Sequence, residues 1–399
     1  MSALVLRAYN VRFGDAIFVE VPDRDPATGT TTTRRILIDV GNVLSEEGGD
    51  DSVFQPAIDD IVARLAGDPL DLYVLTHEHM DHCQGLQFLA ERVYKNGVLK
   101  SKLKPEYAWL TASAEGQPYY DRFPNAKKQK LRFQALYDAA ARFVAAHPDE
   151  NSSALRRLLL NNDYRTTDKC VAFLRTLAAR RTTYVFRGCS LAGAHPFKEA
   201  TFEIWAPEED TSSYYGRFQP SPLHLGAAPP ATGARTRART KPAPRPPAGV
   251  DAGAFYNLVG MRAHGFFDNL LAIDAAANNT SAVFSLTWRG WRLLFTGDAE
   301  VRSWKTMDRE GVLKPVHFLK VSHHSSHNGT PDAALLEKVL PTVRPDALRR
   351  RAVISAWTDT YSGIPHGPTR QRLQERCDDV VSILDDPGAP FVEMRFEAP

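Results

Sequence analysis

The stretch Thr76-His77-Glu78-His79-Met80-Asp81-His82 directly follows the apolar run Leu72-Tyr73-Val74-Leu75. Few folds satisfy both halves of that sequence. An unbroken apolar run of strand-forming residues predicts a strand buried on both faces, and three imidazoles with one carboxylate then leave its end together. A loop at a strand end can fold such groups inward around a borderline-soft cation such as Zn2+. A merely solvated turn has no need of that spacing. The feature predicts an α/β protein with a metal site at the end of a central strand.

The surrounding chain supplies the other strands. From Leu4 to Val21 apolar and polar residues alternate, with a break at Phe13-Gly14-Asp15 that predicts a hairpin. Arg35-Ile36-Leu37-Ile38 predicts a strand ending at Asp39-Val40-Gly41-Asn42, and residues 56–66 place Ile58, Ile61, Val62 and Leu65 on one helical face. Asp81-His82 should open a helix through Leu86, Phe88 and Leu89. Later strands are predicted at Thr201–Trp205, Ala282–Trp288, Trp291–Phe295, Val316–Val321 and Ala352–Ala356. Three of these also run into polar groups: Thr296-Gly297-Asp298, Ser322-His323-His324-Ser325-Ser326-His327, and Pro365-His366. Strand ends lie side by side in a sheet, so groups distant in sequence can meet there.

At 399 residues the chain has room for one large α/β domain with insertions, and it reads as one domain, 1–399. Residues 91–195 predict a mainly helical, basic insertion, including Lys104, Lys127, Lys128, Lys130, Arg156, Arg175, Arg180 and Arg181. Residues 217–250 hold eight prolines, six cations and no acid; such a stretch cannot bury enough apolar surface to order itself, which predicts a disordered Pro/Arg-rich loop. Either stretch is a candidate contact for nucleic acid or for a protein partner. A net charge of +2 gives no global field toward polyanions. The four cysteines show no Cys-x-x-Cys pairing and read as free thiols. No apolar run approaches the ~20 residues of a membrane span. With no leader-like N-terminal segment, a cytoplasmic, membrane-free protein is expected.

The motifs together resemble the metallo-β-lactamase superfamily, and within it the competence-type, ComEC-like branch. The closer resemblance rests on Phe13-Gly14-Asp15-Ala16, Asn278-Asn279-Thr280-Ser281, Leu294-Phe295-Thr296-Gly297-Asp298, Leu319-Lys320-Val321-Ser322-His323-His324-Ser325-Ser326 and Pro365-His366. It implies an αββα sandwich and a metal-dependent hydrolase, a phosphodiesterase or nuclease acting on nucleic acid or a nucleotide. Two divalent ions, Zn2+ or Mn2+, are implied: His77 and His79 on the first, Asp81 and His82 on the second, Asp298 bridging, and His323 completing the second. Such a pair lowers the pKa of a shared water and delivers it as hydroxide. His324 is the alternative to His323, since neighbouring side chains leaving a strand point opposite ways. Asp39 and Asn279 are expected beside the ligands. Asp81, His366 and His327 are expected to take part in catalysis, His366 by protonating a leaving alkoxide or gripping a phosphate. Lys320 reads as a phosphate contact or as protection of a sheet edge.

Two departures from the family pattern matter. Asn278-Asn279 stands where most dinuclear members have a further His, and Ser325 stands where the competence-type motif usually has Gly. Rival readings are a hydrolase of a small molecule (a lactone, lactam or cyclic nucleotide) and a non-enzymatic partner-binding component of a bacterial defence system.

Overall fold

The computed structural model describes residues 3–43, 53–93, 103–146, 153–214, 266–357 and 363–399. The predicted disordered loop at 217–250, together with Lys95, Lys100 and Lys102, lies outside them. Two mixed sheets stack face to face with helices on their outer sides. The first holds seven strands in the order β13-β1-β2-β3-β4-β5-β6. These are β1 (Ala3–Tyr9), β2 (Ala16–Arg24), β3 (Thr31–Val40), β4 (Leu70–Leu75), β5 (Pro105–Thr111), β6 (Arg181–Val185) and β13 (Phe391–Glu397). The second holds six in the order β12-β11-β10-β9-β8-β7: β7 (Thr201–Ala206), β8 (Val283–Trp288), β9 (Trp291–Phe295), β10 (Phe318–Lys320), β11 (Arg351–Ile354) and β12 (Asp379–Ser382). Each sheet has an antiparallel half and a parallel half; β3, β4, β5 and β6 are parallel in the first, and β9, β10, β11 and β12 in the second.

Alternation along the strands explains the layering. Ile36, Ile38, Leu72 and Val74 face the second sheet and pack with Phe284, Leu286, Leu293, Phe295 and Phe318. Their neighbours Leu37, Val40, Tyr73 and Leu75 face the other way, onto Ile58, Ile61 and Leu65 of the helix Gln55–Leu65 and onto Cys83, Leu86, Val171 and Leu174. This is why β4 reads as a continuous apolar run: both of its faces are covered. Leu294 and Leu319 pack outward on Trp304, Met307, Leu335 and Leu336. The β8–β9 hairpin turns at Arg289-Gly290, both with positive φ, as a two-residue turn between twisted strands requires.

Among the described residues of 91–195 lie the helices Gln117–Arg122, Pro124–Ala146, Ser153–Asn161 and Tyr164–Arg175. The same stretch contributes β5 and β6 to the first sheet. The helices Pro124–Ala146 and Ser153–Asn161 pack with Phe266–Asn278 around Tyr137, Leu155, Leu158 and Ile273. That small cluster brings Asn161 and Asn162 over the His loop. The terminal strand β13, with Met394 and Phe396 facing the core, pairs along the whole of β1. Among the described residues no helix is long and apolar enough to cross a membrane.

Candidate metal centre

β4 ends at Leu75, and the helix Met80–Phe88 begins with His79 as its N-cap. The loop between them therefore has to turn within four residues, and it does so around Asp39 at the end of β3. The Asp39 carboxylate accepts hydrogen bonds from the Thr76 amide at 2.8 Å and the Thr76 hydroxyl at 2.7 Å, and from His82 Nδ1 at 2.8 Å. Asp39 holds the ligand loop from beneath, at a left-handed φ of 52°. Burial raises its pKa, opposed by the neighbouring His82.

Two loops lace onto this one through backbone contacts. Asp15 N donates to Asp81 O at 3.0 Å, and Gly41 N donates to Asp15 O at 3.1 Å. A Cβ on Gly41 would lie 2.2 Å from both Asp81 C and His82 N. Only glycine permits that approach. Gly41→Ala is therefore expected to push Asp81 and His82 out of place and to cost about 100-fold in any activity of this site, the scale of a misplacement near 1 Å. Metal content and turnover of the folded variant check this, and unchanged values would show that the loop spacing is not critical.

Six side chains converge above Asp39. His77, His79 and Asp81 form one group of ligating atoms, and Asp81, His82, Asp298 and His324 a second; within each group the atoms lie within 4.8 Å of one another. His77 Nε2 faces His79 Nδ1 at 3.1 Å, a separation that one cation bonded at ~2.1 Å to each can span. In the second group, His324 Nε2 is 3.2 Å from Asp81 Oδ2 and 3.2 Å from Asp298 Oδ2, and His82 Nε2 is 3.3 Å from Asp298 Oδ2. All six residues are at most 3% exposed.

The far side of each ring decides its tautomer. His82 Nδ1 donates to Asp39, His324 Nδ1 to the Ser355 carbonyl at 2.7 Å, and His79 Nε2 to the Asn162 carbonyl oxygen at 3.1 Å. Those acceptors place the ring protons away from the centre. In the neutral rings His82 Nε2, His324 Nε2 and His79 Nδ1 are then the atoms that present lone pairs to it. Asp81 Oδ1 and His82 Nε2, both buried, have no hydrogen-bond partner, and a buried lone pair left without one is costly. Imidazole and carboxylate donors in this ratio suit Zn2+ or Mn2+. The residues fit a metal.

The electrostatics give the balance of charge before a cation binds. Burial pushes the His77 imidazole well below its ordinary pKa, with His82 and His79 adding to the effect, so it is neutral. Burial also acts against the charged forms of His82 and His324, but the carboxylates of Asp298, Asp81 and Asp39 outweigh it for His82, raising it well above the usual range. Asp298 and Asp81 do the same for His324, which reaches about 10. Against its own burial, Asp298 is held well below the usual carboxylate range by His324, His82 and Lys320. Without a cation the His82 and His324 rings therefore carry protons that balance Asp81 and Asp298, and a cation binding there would displace them.

The structure differs from the sequence expectation at several positions. His324, not His323, meets Asp81 and Asp298; His323 turns instead toward Glu300 at 3.4 Å. The reason is that the backbone leaves β10 in a left-handed conformation at His323, His324 and Ser325, with φ of 48°, 50° and 63°, so strand alternation no longer applies. Ser325 thus takes a conformation that glycine adopts at less cost. Asp81, rather than Asp298, is the carboxylate common to both groups. Asn279 faces away: its side-chain oxygen accepts from Ser303 N at 3.0 Å and Ser303 Oγ at 2.7 Å, and its amide donates to Ala275 O at 2.6 Å. His327 and His366 stand outside both groups and pair with each other edge to face, ring centres 5.1 Å apart. The His366 amide donates to Ser325 O at 2.8 Å, which ties the pair to the His324 loop.

Lys320 is neither edge protection nor a free phosphate contact. β10 is an interior strand, and Lys320 is 1% exposed, ion-paired with Asp15 and 3.2 Å from Asp298 Oδ1. In the sequence Asp15 reads as a turn residue, and nothing local to it signals that it answers a buried lysine. Asn162 and the Ser355 carbonyl were likewise invisible, since neither carries a metal-ligand pattern of its own.

Neither models of known protein families nor curated proteins match this chain. What stands on its own geometry is a buried His/Asp cluster between two mixed sheets, resembling a metallo-β-lactamase site.

Proposed function

We propose that the chain is a metal-dependent hydrolase that cleaves a phosphodiester, in nucleic acid or in a nucleotide. The observation that carries this reading is the convergence of His77, His79, Asp81, His82, Asp298 and His324 with ring protons turned outward. Two divalent ions, Zn2+ or Mn2+, would supply Lewis acidity and an acidified water when bound there. Asp39, Asn162 and the Ser355 carbonyl lock three of the rings, which lowers the reorganisation that ligand capture demands. Lys320 holds one oxygen of Asp298 and leaves the other directed at His82 and His324.

His366 takes a narrower role than sequence alone suggests. Burial lowers its pKa, and His327 and Arg372 beside it lower it further, which favours the neutral ring. Its part in this reading is to donate a hydrogen bond to a phosphate oxygen beside the His324 loop, with His327 next to it. Several basic residues expected to form a polyanion track are already engaged: Lys130 with Asp168 at 3.0 Å, Lys127 with Asp121 at 3.8 Å, Arg180 with Glu106, and Arg181 with the Ala192 carbonyl at 3.1 Å.

The cavity beside His79, walled by Tyr120, Phe133, Tyr164 and Lys130, measures about 50 Å3. That is room for ordered water and far short of the roughly 300 Å3 or more of a small-molecule pocket, so polymer and small nucleotide both stay within this reading. The test is hydrolysis of labelled single- and double-stranded DNA and RNA and of cyclic dinucleotides, with Mn2+ or Zn2+ added, comparing wild type with His77→Ala/His79→Ala. Metal-dependent cleavage that the double variant loses is the expected result. Equal cleavage by the double variant would separate the activity from this cluster, and inertness toward all of these substrates in metal-loaded protein would move the reading to lactones and lactams.

A further inference from the structure

A second polar cluster lies on the other side of Asn162. Asp274, Glu300 and His323 bring their ligating atoms within 4.8 Å of one another. Glu300 precedes the helix Val301–Arg309, Asp274 comes from the helix Phe266–Asn278, and His323 comes from the left-handed turn after β10. The amide of Asn278 sits among them. Its nitrogen is 3.2 Å from Asp274 Oδ2, 3.0 Å from Glu300 Oε1 and 3.3 Å from His323 Nε2.

The hydrogen bonding does not close. An amide nitrogen has two protons, too few for three acceptors. Asn278 is 1% exposed, yet its Oδ1 has no partner; His323 Nδ1, 3.4 Å from Glu300 Oε1, has none either. Two carboxylates and the orphaned Nδ1 of His323 thus face one small space, which the Asn278 amide enters by its nitrogen while its oxygen is left without a partner. Asn278 Oδ1 and Nδ2 exchange places by a half-turn of the amide, and after that turn the oxygen joins the carboxylates and the imidazole as a donor. That arrangement is stable only around a cation.

We infer that Asp274, Glu300, His323 and Asn278 Oδ1 form a further divalent-cation site, separate from the His77–His324 centre. Three oxygen donors and one imidazole nitrogen suit Mn2+: carboxylate and amide oxygens favour hard ions, and the imidazole favours a transition metal over Mg2+ or Ca2+. Side-chain exposures of 14% for Asp274 and 17% for His323 leave the cluster open to solvent at one edge. The site is wired to the first centre: Asn162 Nδ2 donates to Asp274 Oδ1 at 2.8 Å while its carbonyl oxygen accepts from His79. It also gives the turned-away His323 a use.

The test is Mn2+ binding to the full-length chain, followed by equilibrium dialysis and by the Mn2+ spin-resonance signal, in wild type, Glu300→Gln, His323→Ala and Asp298→Asn. One bound ion per chain should be lost, or weakened by ~100-fold or more, in both Glu300→Gln and His323→Ala, since even an outer partner of a ligand costs 10–100-fold. Asp298→Asn should keep that ion, which separates this site from the hydrolytic centre and its fate. If Glu300→Gln fails to fold, His323→Ala, altered at a partly exposed side chain, decides. Binding that is identical in number and affinity in wild type and His323→Ala overturns the site.

Discussion

Asp298→Asn is expected to abolish hydrolysis, by roughly 1000-fold or more, and to strip metal from the second group while the chain stays folded. The substitution keeps shape and removes charge. Asp298 Oδ2 is the atom that His82 and His324 both approach, at 3.3 and 3.2 Å, and Asn has no anionic oxygen to offer there. Loss of an outer-sphere partner already costs 10–100-fold in metal affinity or activity, so loss of a direct ligand lies beyond that range. Lys320 keeps Asp15 as a counter-ion, so the stability loss is expected to stay near 2 kcal/mol, below the 3–5 kcal/mol of a fully broken buried pair. Metal analysis, turnover and a urea titration on the same preparation check all three parts. A variant that retains both metal and turnover would remove Asp298 from the centre.

Lys320→Met should behave in the opposite sense. Lys320 is the lysine that Asp15 and Asp298 share, two carboxylates that are each 2% exposed or less. Methionine fills the same space without the charge. The two carboxylates then face each other in a low-dielectric interior, and removing one partner of such a set costs about 3–5 kcal/mol. Urea unfolding in the presence of a chelator should show that loss. Metal affinity, by contrast, should rise or hold, because a competing positive charge next to Asp298 has gone, and added Zn2+ or Mn2+ should recover part of the lost stability by binding the folded state. Loss of metal together with stability would instead mean that Lys320 orients Asp298, with its charge secondary.

Much of the framework was legible because period and run length report burial directly. The unbroken run Leu72–Leu75 announced a strand covered on both faces, and the polar groups after β4, β9 and β10 announced a shared end of the sheets. Other elements escaped for identifiable reasons. β6 is a short strand set in a basic, helical stretch where the helical pattern dominates, whereas Trp109-Leu110 already marks a strand end, that of β5. β13 carries clear alternation in Phe391–Glu397, with Met394 and Phe396 inward, so its signal was present but far from any motif. The choice between His323 and His324 depended on three successive left-handed residues, and no periodicity rule reaches into such a turn. Lys320 shows the limit most clearly: its burial is decided by Asp15 at the opposite end of the chain.

Asp81 and His324 are 243 residues apart in sequence, and they reach the centre from different sheets. A growing or refolding chain therefore owns only half of the second group, Asp81 and His82 without Asp298 and His324, until the two sheets have docked. A cation held by that group would be captured late, by a completed sandwich, and its arrival would report that assembly has finished. Once held, it would fasten the two layers at the end where Asp81 and Asp298 repel each other.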